Sequence, residues 1–334
     1  MDSQVFGTSS SLVDSVVSPL VSPYVNMLDQ RNVFSFVGAF TFVFLIIFLL
    51  RLLRTRQDFR FGALVRLTFR KSVWLHPSSI LDYKLYAVSM VFMTFALGFL
   101  VIGSGFWARV AGDVLAALLG PATPTRVSNE AIIVAIAAAQ LLALDFGYWL
   151  GHLLMHKNRY LWEFHKVHHS AAVLTPATEY RQHPVEFMVV PGMMAVTMGV
   201  TQAVITQWLG TGAPALGQFW FNLVILVHVF TIHHLRHSHF NIPFTGLWGR
   251  IIHSPGHHRI HHSANPDHFD RNMGYMLSIW DAMAGTLHQP RPNEAVRLGI
   301  GAEGALHDSV GASMWLPIRN CWRMLTARQR RAAN

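Results

Sequence analysis

Residues 131–156 read AIIVAIAAAQLLALDFGYWLGHLLMH, an apolar run that closes on two histidines. About 20 such residues cross the hydrocarbon core of a bilayer when they are helical. His152 and His156 stand four residues apart, a spacing that puts two side chains on the same face of a helix. The stretch therefore predicts a membrane-spanning helix with a pair of imidazoles, which are common metal ligands, at its C-terminal end.

Further apolar blocks surround this one in a chain that is 52% hydrophobic and only 13% charged. Soluble domains usually carry about 25% charged residues, so the composition indicates a membrane protein. The Gly- and Pro-rich segment GTGAPA joins the last two blocks, which are predicted to form a hairpin that either spans the membrane or re-enters it. The predicted fold is an all-α, multi-pass transmembrane helical bundle of about four or five spanning or re-entrant helices. The predicted spans cover residues 33–53, 85–107, 131–150, 187–209 and 216–232.

The basic residues indicate which way the bundle faces. Seven of them follow the first predicted span within residues 51–71, against one acid, Asp58, and the tail adds five arginines within residues 319–331. Because Lys and Arg favour cytoplasmic loops, every histidine cluster is predicted to lie at the cytoplasmic membrane edge. The chain is expected to be an integral protein of a bacterial inner membrane with its active site facing the cytoplasm. This topology accounts for the net charge of +9, so no nucleic-acid partner is expected.

Twenty histidines form the strongest chemical signal, since eighteen of them fall between His152 and His288. They include two His-x-x-x-His pairs and two His-x-x-His-His boxes, spacings that aim several imidazoles at one point. One zinc ion takes only three or four ligands, so ten imidazoles predict a site for two metal ions within a cytoplasmic helical cap. The candidate ligands are His152, His156, His165, His168, His169, His233, His237, His258, His261 and His262.

Several acids are candidates for supporting these ligands, because a metal-bound histidine usually gives its other N–H to a carboxylate or a carbonyl. The sequence does not decide which of them contact a histidine. The candidates are Asp145, Glu163, Glu179, Glu186, Asp267 and Asp281.

The ligand type leaves the metal and the function open. Imidazole suits zinc, copper, iron and nickel, and the choice between iron and zinc stays unresolved. A metal transporter is a competing function, although transporters place polar groups near the bilayer midplane and these spans are nearly free of them. A zinc-dependent lipid hydrolase is a third candidate.

Six motifs in order make the chain resemble the fatty acid hydroxylase/sterol desaturase superfamily of integral-membrane di-iron oxygenases. The resemblance runs from about residue 145 to residue 290. Ala284 departs from it, since an aromatic residue is more usual there. The motifs are DFGYWLGHLLMH, LWEFHKVHHSA, TEYRQHPVE, RHSHFNIP, SPGHHRIHHS and NMGYMLSIWDAMAGTLHQP.

The resemblance implies an oxidoreductase that hydroxylates an unactivated C–H bond of a lipid, either the acyl chain of a membrane lipid, a sterol or another isoprenoid. A desaturase would use the same site. The ten histidines named above would bind two irons, with zinc as an alternative occupant after purification, and no further catalytic group is expected. His183 matches a family position and would stand behind the ligands, as would Asp145 and Asp281 among the acids named above. O2 would be the co-substrate.

Electrons are expected from a separate protein, either a cytochrome b5-like carrier or a ferredoxin with its reductase. The segment GIGAEG, residues 299–304, has no strand and helix around it and is not expected to bind a nicotinamide or a flavin. Three regions are predicted. Residues 1–130 form an N-terminal membrane region with two spans and a basic cytoplasmic loop, residues 131–290 the catalytic domain, and residues 291–334 a basic cytoplasmic tail.

Overall fold

A computed structural model describes residues 61–122, 127–291 and 294–332 of the chain. All of them belong to one compact unit, Arg60–Asn334. The predicted span at residues 33–53 lies outside the described residues.

The described residues are helical and contain no β-strand, which confirms the predicted all-α class. Two isolated β-bridges, Ile252 with Leu277 and Ser263 with Leu298, tie loops together. Short 3-10 turns occupy Pro176–Tyr180, Pro266–His268 and Gly301–Leu306, and a π turn occupies Val229–His233. The α-helices are α1 Phe61–Thr68, α2 Lys71–Trp74, α3 Pro77–Leu119, α4 Glu130–Lys157, α5 Arg159–His169, α6 Glu186–Leu209, α7 Ala213–Leu216, α8 Gln218–His228, α9 His234–Arg236, α10 Gly246–Ile251, α11 Pro255–His261, α12 Ile279–Ala284 and α13 Val310–Ala332.

Within the described ranges, four helical segments are long and apolar enough to cross a membrane. They are α3, α4, α6 and the continuous segment Gln218–Arg236 formed by α8, the π turn and α9. They contain the whole of the predicted spans at residues 85–107, 131–150 and 187–209, and most of the span at 216–232. One boundary differs: α3 has 43 residues, which is about 64 Å at 1.5 Å per residue. It is therefore about twice as long as a bilayer's hydrocarbon core is thick.

Small residues let α3, α4 and α6 approach closely. A Cβ atom at Gly199 of α6 would lie 2.5 Å from the Ser104 carbonyl oxygen of α3, so only glycine fits there. Thr197 of α6 donates a hydrogen bond to the Ala143 carbonyl of α4 (2.7 Å). A Cβ at Gly151, two turns further along α4, would lie 2.9 Å from the Cα of Val190. Such small-residue interfaces are typical of membrane helices, and the pairing shows that α4 runs antiparallel to α6.

The antiparallel order brings the histidine-bearing helix ends to one end of the bundle. The C-terminal end of α4 lies beside the N-terminal end of α6, and α5 follows α4 directly. Asn158 makes that sharp turn, because its backbone N–H donates to the Leu154 carbonyl and its side chain accepts the N–H groups of Tyr160 and Leu161. A side chain that accepts the first orphan N–H groups of a helix is a standard N-cap. The turn folds α5 back under the last residues of α4.

The C-terminal helix α13 packs on the same end of the molecule. Val310 and Met314 contact a buried apolar cluster of Leu81, Leu85 and Val167, which joins α3 to α5. Further along α13, the amide of Asn320 donates to the carboxylate of Glu163 on α5 (2.9 Å). The described part of the C-terminal region therefore supports α5 directly.

Candidate metal centre

Nine buried or nearly buried histidines form two adjacent groups at this end of the described bundle. In each group, one ring nitrogen per residue lies within 4.8 Å of all the others. The two groups share a boundary, since the rings of His169 and His262 stack with centroids 4.6 Å apart. The five-histidine group contains His152, His156, His165, His169 and His261, and the four-histidine group contains His168, His237, His258 and His262.

Each His-x-x-His-His box contributes to both groups. On α5, His165 and His169 point to the five-histidine group, whereas His168 points to the four-histidine group. The box on α11 does the reverse: His258 and His262 belong to the four-histidine group and His261 to the other. Helical residues four apart share a face and the residue three along lies beside them, so one box can serve two neighbouring sites. This division explains why the chain contains the box twice.

Main-chain carbonyl oxygens hold the outer ring nitrogen, Nδ1, of two of these histidines. Nδ1 of His152 lies 2.8 Å from the Met273 carbonyl oxygen, and Nδ1 of His261 lies 2.8 Å from that of Arg271. A carbonyl oxygen only accepts, so both Nδ1 atoms carry the proton. That tautomer leaves the Nε2 lone pair free to face the centre of the group.

Carboxylates lie beside the Nδ1 atoms of three more rings, one of them in a hydrogen bond. Nδ1 of His165 lies 3.0 Å from Glu186 Oε2, and Nδ1 of His237 lies 2.8 Å from Glu179 Oε2. Asp270 lies 3.4 Å from Nδ1 of His156, and this contact lowers the pKa of the Asp270 carboxyl to about 2. Anchoring by carboxylates and carbonyls is the usual support for histidines that bind metals.

The inner nitrogens fit metal ions and have no other adequate partner. Nε2 of His152 lies 3.0 Å from Nε2 of His165, and Nε2 of His237 lies 2.7 Å from Nε2 of His258. Within the described residues, the buried Nε2 atoms of His156, His169 and His261 have no hydrogen-bond partner. Converging lone pairs and unpaired buried nitrogens are costly. A metal ion bound at about 2.0–2.1 Å from each nitrogen would satisfy them.

The electrostatics favour the form of imidazole that binds a metal. Burial lowers the pKa of these rings well below its ordinary value, and the neighbouring imidazoles lower it further. They are therefore neutral at pH 7, as metal ligation requires. The effect holds for His168, His169, His258, His261 and His262.

His233, predicted as the tenth ligand, is the one that the structure does not bring into either group. Its Nδ1 lies 3.2 Å from the hydroxyl of Tyr275. The i,i+4 relation to His237 fails because the chain leaves the π turn at His233, α9 ends at Arg236, and His237 has non-helical φ and ψ of −97° and 70°. The second His-x-x-x-His pair therefore supplies one imidazole instead of two.

Four of the acids predicted to support the ligands contribute to the centre, and they do so in two ways. Glu179 and Glu186 contact histidines of the groups, as described above. Asp145 and Asp281 instead hold the loop that carries the Met273 carbonyl. Asp145 accepts the N–H of Met276 (2.7 Å), and Asp281 accepts the N–H groups of Met273 and Gly274 (3.0 and 2.8 Å). Both carboxylates therefore act on His152 through the main chain.

The remaining candidates lie further out. His183 accepts the N–H of Val185 (3.2 Å) just before α6, and its Nε2 lies 3.2 Å from the Met314 carbonyl oxygen. The carboxylate of Glu163 accepts hydrogen bonds from the ammonium group of Lys166 and the side-chain amide of Asn320. The backbone N–H of Asp267 donates to Asn265.

Two kinds of group contribute to the centre without a signal in the sequence: main-chain carbonyls and a buried arginine. The carbonyls of Arg271 and Met273 act through the main chain, so their side chains carry no information about the role. Arg236 is fully buried, with Nη2 3.2 Å from Nδ1 of His258 and its guanidinium carbon 4.9 Å from the centre of the Tyr275 ring. Nothing in the spacing of the histidines indicates a buried cation beside them.

Comparison with known proteins finds a family model and several relatives that match the histidine-bearing part of the chain. Residues 137–286 match the family model described as fatty acid hydroxylase. Alkylglycerol monooxygenase of Xenopus tropicalis is 29% identical over 157 residues, which cover 43% of this chain and 29% of that protein. Ornithine lipid hydroxylase OlsE of Rhizobium tropici is 27% identical over 163 residues, 48% of this chain and 44% of that protein. A cholesterol 25-hydroxylase-like protein of Danio rerio is 32% identical over 155 residues, 45% of this chain and 55% of that protein.

The matches cover only part of each relative, less than a third of alkylglycerol monooxygenase and less than half of the ornithine lipid hydroxylase. The matched segment includes all nine grouped histidines. No solved structure matches the chain.

Proposed function

The chain carries a fatty acid hydroxylase domain and belongs to the fatty acid hydroxylase/sterol desaturase superfamily. From this premise we propose that it is a membrane-bound, O2-dependent oxidoreductase that hydroxylates an unactivated C–H bond of a lipid. The observation that carries the proposal is the convergence of nine imidazoles in two adjacent groups at the end of apolar helices. The relatives named as hydroxylases and monooxygenases of lipids support it.

The two groups are assigned one iron each. Irons bound there would supply the reduction of O2 and the removal of hydrogen from the substrate. The protein's part is to hold the ligands. The Nδ1 anchors of His152, His165 and His261 fix those rings and their tautomers, and burial keeps the imidazoles neutral and water away from a reactive oxidant.

An apolar groove of about 920 Å³ between α3 and α6 is proposed to receive the lipid chain. Its walls include Phe95, Phe99 and Phe106 of α3, and Phe187 at the start of α6. Phe187 directly follows Glu186, the carboxylate that contacts His165. A lipid chain that enters from the bilayer would thus have one end beside the five-histidine group. An acyl chain of a polar membrane lipid fits this open groove well, and sterols or other isoprenoids are the alternatives.

The remaining parts of the proposal concern location and electron supply. The basic segments at residues 51–71 and 319–331 support a cytoplasmic site in a bacterial inner membrane. A separate protein, cytochrome b5-like or a ferredoxin with its reductase, would deliver electrons to that side.

Lipid mass spectrometry of cells that express the protein tests the function. We expect a lipid heavier by one oxygen in cells with the wild-type chain and not in cells with His168→Ala. The matched control is His239→Gln, because His239 lies outside both groups and its ring bonds the Leu67 carbonyl (2.9 Å). A product lighter by two hydrogens would favour the desaturase alternative. Product formation without O2 would favour a hydrolase, and metal uptake into vesicles that depends on His165 would favour a transporter.

Glu186→Gln is expected to lower the metal affinity of the five-histidine group by about 10–100-fold, the usual cost of losing a partner behind a ligand. The amide accepts the Nδ1–H of His165 more weakly than the carboxylate does, and it lowers the basicity of the ring. Competition with a chelator measures the affinity. Glu163→Gln is the control, since Glu163 contacts Lys166 and Asn320 and no grouped histidine. Equal affinities in the two variants would contradict the role given to Glu186.

His233→Ala and His237→Ala separate the two predictions for this part of the chain. We expect His233→Ala to keep the wild-type metal content and His237→Ala to lose a metal ion, because only His237 reaches the four-histidine group. Elemental analysis of the purified proteins checks this. Loss of metal in His233→Ala would restore His233 as a ligand and contradict the arrangement described above.

A further inference from the structure

A third cluster of ligand-type side chains lies outside the nine grouped histidines and serves no step of the proposed reaction. It consists of His268, His288 and Glu294, each of which offers one atom within 4.8 Å of the other two. His268 is buried, whereas the side chains of His288 and Glu294 are 29% and 17% exposed. We propose that these three side chains bind a Zn²⁺ ion.

The distances match a tetrahedral zinc site. Nε2 of His268 lies 3.4 Å from Glu294 Oε1, and Nε2 of His288 lies 3.2 Å from the same oxygen. Zinc bonds of about 2.0–2.1 Å to nitrogen and oxygen, arranged tetrahedrally, put neighbouring ligand atoms about 3.3 Å apart. Both nitrogen–oxygen separations therefore match those that a zinc ion would impose, and the two nitrogens lie within 4.8 Å of each other. Two imidazoles and one carboxylate are a known zinc ligand set, with a fourth position left for water.

Each ligand is also fixed from behind. Nδ1 of His268 lies 2.9 Å from the hydroxyl of Ser263, which leaves Nε2 to face the site. The second carboxylate oxygen of Glu294 accepts the backbone N–H of Arg291 (2.9 Å). The side-chain amide of buried Asn272 accepts a hydrogen bond from the backbone N–H of His288 (2.7 Å) and donates one to the carbonyl oxygen of His288 (2.9 Å). Such support is what metal ligands require.

A simple ion pair explains the cluster less well. One carboxylate cannot neutralise two imidazolium ions, and the rings of His268 and His288 lie with centroids only 4.7 Å apart. Burial, with the neighbouring His288, lowers the pKa of His268, so the neutral ring is favoured. Neutral imidazoles beside a carboxylate suit a divalent cation. The exposed side chains of His288 and Glu294 leave the ion a route from water.

The position of the site gives the ion a structural task. His268 belongs to the loop between His262 and Met273, which supplies the Arg271 carbonyl to His261 and Asp270 to His156. His288 and Glu294 belong to the segment that follows α12. A zinc ion at this place would tie the two segments together and hold the loop that anchors the five-histidine group.

Zinc counting on the purified full-length protein tests the site. After equilibration with Zn²⁺ and removal of weakly bound ions, we expect the wild type to hold one equivalent more zinc than His288→Ala and Glu294→Gln. Added Zn²⁺ should also raise the melting temperature of the wild type more than that of either variant. Glu303→Gln is the control, because Glu303 is an acid that pairs with Lys166 away from the cluster.

Both substitutions keep the fold testable, since His288 and Glu294 are partly exposed and Glu294→Gln preserves the shape of the side chain. All three proteins keep the nine grouped histidines, so the difference in zinc does not depend on which metal those groups hold or on whether a lipid is oxidised. Equal zinc content in the wild type and both variants, or an equal effect of zinc on their melting temperatures, overturns the proposal.

Discussion

Alanine at His168 is expected to abolish lipid oxidation and to remove one of two bound metal ions, whereas alanine at His261 is expected to abolish oxidation and leave more metal behind. The difference follows from the sizes of the groups. Without His168, three imidazoles remain in the four-histidine group; without His261, four remain in the other. Four nitrogen ligands still complete a tetrahedral site, whereas three leave one position to water and are expected to hold the ion less tightly.

Metal analysis and product formation on the two variants check this prediction together. Both proteins should insert into the membrane in wild-type amounts, because neither imidazole is part of an apolar helix face that contacts lipid. Activity should fall by far more than the about 10–100-fold that the loss of a supporting residue costs. His239→Gln serves again as the control. Equal metal content in His168→Ala and His261→Ala would contradict the division of the boxes between two groups.

Much of this centre could be predicted because its information lies in local spacing. Helical spacing alone indicates that His152 and His156 share a face and that a box such as His165-x-x-His168-His169 aims imidazoles at one region. Length and apolarity likewise predict the spans, and within its described residues the structure has helices long and apolar enough to cross a membrane at those places. The superfamily resemblance, which depends on the order of six motifs, is confirmed by the match over residues 137–286.

The rest depends on how distant segments meet, and spacing does not contain that. Which of the two groups a histidine joins depends on how α5 and α11 meet. His233 and His237 share a face only if the chain between them is a regular α-helix, and the π turn that ends at His233 interrupts that helix. The anchors at Met273 and Arg271 are main-chain carbonyls in a loop with positive φ at Asp270 and Asn272. No side-chain pattern indicates such positions.

Asp281 shows how a correct residue can receive an incomplete role. The sequence places it among the candidate acceptors of a ligand's N–H. In the structure its carboxylate accepts hydrogen bonds from Met273, Gly274, Trp149 and Thr286. Its removal would leave several buried donors unpaired, at about 1–3 kcal/mol each. Its loss therefore acts on the fold of the loop first and on the metal only through the Met273 carbonyl.

Arg181→Ala is expected to be the most destabilising single change in the described part of the chain, by about 3–5 kcal/mol. Arg181 lies in the segment TEYRQHPVE and is 2% exposed, and it pairs at 2.8 Å with the fully buried carboxylate of Asp82 on α3. Its Nε donates to the Val167 carbonyl (2.9 Å) and its Nη2 to the Ser170 hydroxyl (2.8 Å). The guanidinium thus fixes the C-terminal end of α5, which carries His168 and His169.

Thermal unfolding in detergent measures the loss of stability. Arg159→Ala is the control, because Arg159 is exposed and its guanidinium donates to the hydroxyl of the neighbouring Tyr160. Most of the cost comes from leaving the Asp82 charge buried without its partner. The double variant Arg181→Ala with Asp82→Asn should therefore be more stable than Arg181→Ala alone. A double variant that is less stable would mean that Asp82 is held mainly by Thr178, whose hydroxyl donates to it at 2.6 Å. In that case the ion pair would not be what fastens α5 to α3.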